Sequence, residues 1–211
     1  YPLRRQRQMC IRDRYYRPLY NLAQVEVLRG PNALLFGRGG TGGVLNRVTK
    51  KAQLDQGFTT SQLSVDSLGE LGGQIDHNRV ISDSVALRIN AMVERLGNHR
   101  DFYDGDRVGV NPTLHIESGD SVIDLSYEYI DHQRFIDRGI PTGADGRPVE
   151  AFEKIVFGDP DVNTTALKAH LWRASVQHSF SDTLKGNIAA FYGDYDNCLL
   201  YTSPSPRDVE E

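Results

Sequence analysis

The stretch that decides the fold runs from Val25 to Lys51, VEVLRGPNALLFGRGGTGGVLNRVTKK. Val25-Glu26-Val27-Leu28 alternates as a short strand does and stops at Gly30-Pro31. Asn32 to Phe36 is a short apolar turn that Pro31 could open as a first helical residue. From Gly37 to Gly43, five of seven residues are glycine, which frees the backbone for angles that side chains forbid. Val44 to Val48 then resumes a strand.

Gly37-x-Gly39-x-x-Gly42 spells a dinucleotide fingerprint, so phosphate binding is the first chemistry to test. That fingerprint needs a strand just before it, a helix just after, and an acidic residue about twenty positions on. Here the strand lies too early and the following segment reads as a strand. No Gly-Lys-Ser/Thr closes a phosphate loop. The lone match carries little weight.

Taken whole, the stretch resembles the second half of the plug domain of TonB-dependent outer-membrane receptors. The likeness rests on Val25 to Pro31, Leu35-Phe36-Gly37, Gly42-Gly43-Val44-Leu45-Asn46 and Val48 to Lys51. The family's usual tyrosine before the central glycine is Phe36 here, and its usual Ser-Pro before the glycine pair is Gly40-Thr41.

The 211 residues leave room for one or two ordinary domains. Apolar residues make up 39%, and no run approaches the eighteen or so of a membrane helix. Strands of a membrane barrel escape that test, being apolar only at alternate positions. A net charge of −4 argues against a nucleic-acid partner. Residues 1–17 carry six arginines against Asp13, a net of +5, so −9 falls on residues 18–211. Cys10 and Cys198 also sit near the ends, and a disulfide between them is one reading. The preferred one is that Gln6 to Arg14 and Cys198 to Asp208 resemble translated sequencing-adapter read-through. Residues 1–17 and 198–211 are then expected to be non-native ends, outside fold reasoning.

From Phe58 onward the texture becomes strands of about ten residues separated by turns. Val85, Leu87, Ile89, Ala91 and Val93 oppose Arg88, Asn90 and Glu94. Val108, Val110, Leu114 and Ile116 oppose Arg107, Asn111, Thr113 and His115, and Ile123 to Tyr129 alternates likewise. Such alternation puts one face against apolar surroundings and the other against water. Weaker alternation over residues 59–66, 71–80, 166–178 and 184–195 brings the expected count to seven strands. Short polar turns at Ile81 to Ser84, Ser118 to Asp120 and Ser181 to Thr183 alternate with longer connections at Asn98 to Asp106 and His132 to Asn163. A transmembrane barrel has short turns on one side and long loops on the other.

The expected fold is mainly β. Residues 18–54 form the C-terminal part of a plug domain, and 55–197 form about seven antiparallel strands of an incomplete transmembrane β-barrel. Phe135-Ile136-Asp137-Arg138-Gly139-Ile140-Pro141 resembles a segment of the siderophore (ferric chelate) receptor branch of the family.

No catalytic constellation is legible, and none is expected. The histidines (77, 99, 115, 132, 170 and 178) include no His-x-x-x-His pair. His170 and His178 share a strand face but lie roughly 26 Å apart at strand rise, too far for one metal. No metal site or cofactor is expected, iron being carried as a siderophore complex. The resemblance implies uptake of a ferric siderophore across the outer membrane of a Gram-negative bacterium. The implied partners are the inner-membrane TonB complex, the siderophore and outer-membrane lipid. It implies a plug motif and latch comprising Glu26, Arg29, Gly30, Pro31, Gly37, Gly42, Gly43 and Asn46, with Arg29 pairing barrel glutamates. Glu94 and Glu128 face the expected lumen. Arg38 in the glycine loop, with Arg134, Phe135, Arg138 and Phe157 in the long loop, are candidate ligand contacts, because arginine suits anionic chelates and aromatics suit flat ligand parts. Another cargo (cobalamin, a sugar or another metal complex), a soluble β-rich binding module and an enzyme using the glycine loop remain as alternatives.

Overall fold

A computed structural model describes residues 18–30, 43–137, 139–141, 143–156, 159 and 162–199. The turn expected at residues 32–36 lies outside them. Strands β1 (Leu22–Arg29) and β2 (Gly43–Thr49) form an antiparallel pair. Then β3 (Phe58–Val65), β4 (Leu71–Ser82), β5 (Val85–Leu96), β6 (Gly105–Ser118), β7 (Ser121–Phe135), β8 (Thr164–Ser179) and β9 (Lys185–Leu199) make one sheet, each strand antiparallel to the next. The seven strands expected from alternation are these. The sheet is open, with β3 and β9 at its edges.

Its two faces invert the usual order of a soluble protein. Among the buried side chains are Asn78, Arg88, Asn90, Arg107, Asn111, Thr113, Glu128 and His132, all on one face. Side chains on the other face are apolar and uncovered: Leu63 is 86% exposed, Val93 59% and Ile188 76%. A wall built this way meets hydrocarbon on one side and a polar filling on the other. A small apolar cluster of Ile130, Leu167 and Ala169 interrupts the polar face at β7 and β8, which accounts for the weak alternation of β8.

Depth is marked by aromatic rows on the apolar face. Tyr127, Trp172 and Tyr192 are register partners across β7, β8 and β9. Tyr127 and Trp172 have ring centroids 4.2 Å apart, and the Tyr127 hydroxyl meets His170 Nδ1 at 2.8 Å. Beyond them toward the long loops the same face carries Asp131, Lys168, Asp194 and Asp196. Phe180, 65% exposed, stands at the opposite end of β8. Ten residues separate it from His170, about 34 Å along a strand and about 25 Å along the normal at a tilt near 40°. That is the height of a hydrocarbon band.

The ladder between β6 and β7 has a gap at Asn111 and Pro112. Proline has no N–H to donate and is rare away from sheet edges. Here the Asn111 side chain substitutes, its Nδ2 donating to the Tyr127 carbonyl at 2.6 Å and to Ser126 Oγ at 3.1 Å.

Two boundaries differ from expectation. β7 continues to Phe135, so His132, Arg134 and Phe135 lie in a strand and not in the long loop. β9 continues to Leu199, two residues past the boundary expected at 197. The loops after β5 and β7 are joined through Arg100. It pairs with Asp137 at 2.6 Å and donates to the carbonyls of Glu153 (3.3 Å) and Ile155 (2.5 Å).

Two outcomes follow from these faces. Leu125→Arg should cost the lipid-embedded wall about 2–4 kcal/mol, against near neutrality for Leu125→Val. Reversible unfolding from phospholipid vesicles measures this, and equal midpoints would remove Leu125 from the lipid face. Asn111→Leu should cost about 1–3 kcal/mol for each buried polar group it orphans. Asn111→Asp, which cannot donate to the Tyr127 carbonyl, should recover only part of that loss in the same measurement.

Candidate functional site

The site is the contact between the β1–β2 pair with its flanking residues and the polar face of the sheet. Within the pair, Glu26 stands opposite Asn46, whose Nδ2 donates to Glu26 Oε2 at 2.7 Å. Gln24 Nε2 holds the other carboxylate oxygen at 2.7 Å. Two of the motif residues are thereby brought together. Arg29 closes the ladder opposite Gly43. Gly30 (φ 90°) and Gly43 (φ 139°) both lie in the region that favours glycine. A Cβ on Gly43 would also collide with the Leu28 carbonyl oxygen. Pro31, Gly37 and Gly42 lie outside the described residues.

Docking on the wall is made by residues that flank the motif. Tyr20 is buried with its ring against Gly109, where a Cβ would come within 2.8 Å of it. Burial, reinforced by the Glu128 carboxylate, pushes the Tyr20 phenol well above its usual range. Asn21 Nδ2 donates to Asn111 Oδ1 at 3.1 Å, so the amide that repairs the ladder gap also receives the plug. On the exit side, Lys50 Nζ pairs with Asp76 at 2.9 Å and donates to Asn90 Oδ1 at 3.2 Å and to the Tyr20 carbonyl at 2.8 Å. Arg88 clamps Asp76 through two 2.8 Å bonds and gives a third, of 2.9 Å, to the Lys51 carbonyl. Lys51 pairs with Asp124 at 2.7 Å. Asn78 staples the link onward, donating to the carbonyls of Gln53 (2.9 Å) and Gln56 (2.6 Å) and accepting from the Gln53 amide at 3.0 Å. Asp76 is 14% exposed and Arg88 9%. Removing one member of such a node strands its partners, at about 3–5 kcal/mol.

Alternation had put Arg88 and Asn90 on the polar face. It did not reveal Tyr20, Asn21, Asp76, Asn78 or Gly109 as docking positions, since their partners lie far along the chain. Both glutamates expected on the lumen side are there. Glu94 pairs with Arg107 at 2.9 Å and Glu128 with Arg173 at 2.9 Å.

Near the long loops the polar face is hollowed by a cavity of about 300 Å³, lined by Glu70, Glu94, Asn98, Tyr103, Arg107 and Arg134. The Nε of Arg134 has no partner among the described residues. Phe135, expected in the long loop as a ligand contact, is a strand residue only 2% exposed, beside buried Ile136. Arg38, Arg138 and Phe157 lie outside the described residues. Among these residues no group of three or more His, Cys, Asp or Glu could hold a metal ion. No helix among them is long and apolar enough to cross a membrane, which says nothing of strands.

The family model of the TonB-dependent receptor plug domain matches residues 8–44. The probable TonB-dependent receptor BfrD of Bordetella pertussis is 35% identical over 128 residues, 59% of this chain and 17% of that protein. The catecholate siderophore receptor Fiu of Escherichia coli K12 is 34% identical over 128 residues, 60% of this chain and 17% of Fiu. The chain thus matches about a sixth of the length of these relatives. Among solved structures, the closed form of the ferric-catecholate import receptor Fiu from the K12 strain superposes with a TM-score of 0.73 at 24% identity, over 90% of this chain and 30% of that one. The plug match, the two aligned relatives and the superposed fold agree with one another, and over its plug strands and its sheet the chain is similar to TonB-dependent receptors.

Proposed function

We propose that the protein containing this chain takes up a ferric siderophore across the outer membrane, driven by the TonB complex. The observation that carries this reading is a plug segment docked by polar bonds on the inner face of a wall whose other face is apolar. A wide barrel conducts unless it is stoppered. A stopper seated by hydrogen bonds and ion pairs can exchange them for water at little net cost. The family consists of receptors and transporters, which are not enzymes. The likeness to Fiu, named as a catecholate siderophore receptor, favours a ferric chelate as cargo.

Arg134 is the proposed cargo contact nearest the long loops, where its guanidinium borders the 300 Å³ cavity. A planar fork of donors suits the anionic oxygens of a chelate. Arg38, Arg138 and Phe157 are proposed as further contacts. Arg29, at the end of the β1–β2 ladder, is proposed as a latch toward the wall, with Glu26 on the same charged edge.

In the full-length receptor, Arg134→Ala should weaken ferric-siderophore binding about 10–100-fold, the worth of one charge-assisted hydrogen bond. Arg134→Lys should restore part of it. Titration of the purified receptor with a ferric catecholate, and with cobalamin or an oligosaccharide as competitor, measures both points. An unchanged Kd removes Arg134 from the site, and preferential binding of a competitor overturns the siderophore reading.

A further inference from the structure

The cavity near the long loops owes its room to missing side chains. Gly105 stands in the register row between Leu96 and Arg134, and a Cβ there would come within 2.7 Å of the Arg134 Cβ. Gly97 lets the turn between β3 and β4 close in, since a Cβ on it would lie 2.6 Å from the Leu68 carbonyl oxygen. That turn is held by Asp66, whose Oδ1 accepts from the amides of Leu68 (2.8 Å) and Glu70 (3.0 Å). Glu70 is thereby set among the lining residues, just ahead of β4.

The charges around this hollow are unequally matched. Glu94 and Arg107, both largely buried, pair with each other at 2.9 Å. Glu70 and Arg134 are half-buried, and among the described residues neither the Glu70 carboxylate nor the Arg134 guanidinium has a hydrogen bond or ion pair. They do not meet because β4 and β7 are three strand spacings apart, roughly 14 Å between backbones. A charge withdrawn from water without a partner costs stability. Two such charges, of opposite sign and facing one cavity, describe a site that is completed from outside.

We infer that the cavity selects a dipolar cargo: a ferric chelate whose anionic oxygens meet Arg134 and whose protonated amine meets Glu70. This rests on the siderophore reading and narrows it. The Glu94–Arg107 pair between them is neutral in sum, so the free charges at either end distinguish one chelate from another. A chelate that is anionic all round brings negative charge against Glu70, with Glu94 on the next strand, and like charges brought together cost affinity. An ammonium group in the same place removes that repulsion and adds a charge-assisted hydrogen bond.

The test uses the full-length receptor and two ferric tris-catecholates on one scaffold, the first bearing a free primary amine and the second with that amine acetylated. Titration at neutral pH should give the amine form a Kd about 10–100-fold lower, the worth of one charge-assisted hydrogen bond. Glu70→Gln should abolish the difference, and Glu70→Lys should reverse it. Arg134→Ala should weaken both forms by a similar factor and so keep the preference. Equal Kd values for the two forms in the unaltered receptor, or a preference for the amine form that survives in both Glu70 variants, overturns the dipolar selection and leaves the siderophore reading standing. Binding of neither form overturns both.

Discussion

A sheet that turns its amides and guanidinium groups inward is stable only if those groups stay hydrogen-bonded once water is excluded. Leaving one unpaired costs a few kcal/mol, and an unpaired charge more. Asn78, Asn90 and Asn111 are each no more than 1% exposed, so the wall depends on partners it does not itself provide in full. The chain from Tyr20 to Gln56 supplies them. Asn78 is met by backbone of the link, the Asn90 Oδ1 by Lys50 and the Asn111 Oδ1 by Asn21, while the Asn90 Nδ2 has no hydrogen-bond partner among the described residues. Plug and wall are thus one hydrogen-bonding system.

Under the proposed function, the same constraint lets a stopper be firm and yet removable. Apolar packing would make withdrawal cost free energy in proportion to the area uncovered. Polar contacts have water as a ready substitute, so the net difference between seated and withdrawn states is small per bond. Firmness then comes from number and geometry, as in the two-pronged grip of Arg88 on Asp76. The opposite face follows the other rule. Its exposed Leu63, Val93 and Ile188 need hydrocarbon, and the Tyr127–Trp172–Tyr192 row marks where that hydrocarbon ends.

Strands and faces were legible because period-two alternation survives wherever one face meets lipid and the other water. The signal failed at β7 beyond Tyr129 for a physical reason. Above the aromatic row the outer face turns polar as well, with Asp131 and Gln133, so contrast disappears while the ladder with β8 continues to Phe135. Pro112 does not break the strand read across it. A proline normally argues for an edge, but the Asn111 side chain supplies the missing donor and keeps it mid-sheet. Glu26 and Asn46 could be named from the family resemblance, yet their direct bond became visible only through the β1–β2 register. The Lys50–Asp76–Arg88 node was out of reach, because nothing local in the chain announces which acid a lysine will meet.

Arg100 binds the loop after β5 to the loop after β7 through Asp137 and two carbonyls. Under the proposed function these loops face outward, and an agent that grips the cell from outside, an antibody or a phage fibre, then confronts a composite epitope. Escape changes in one segment would be filtered by their effect on the other. Surface variation here should proceed in correlated pairs, with Arg100 as the residue that drift leaves alone.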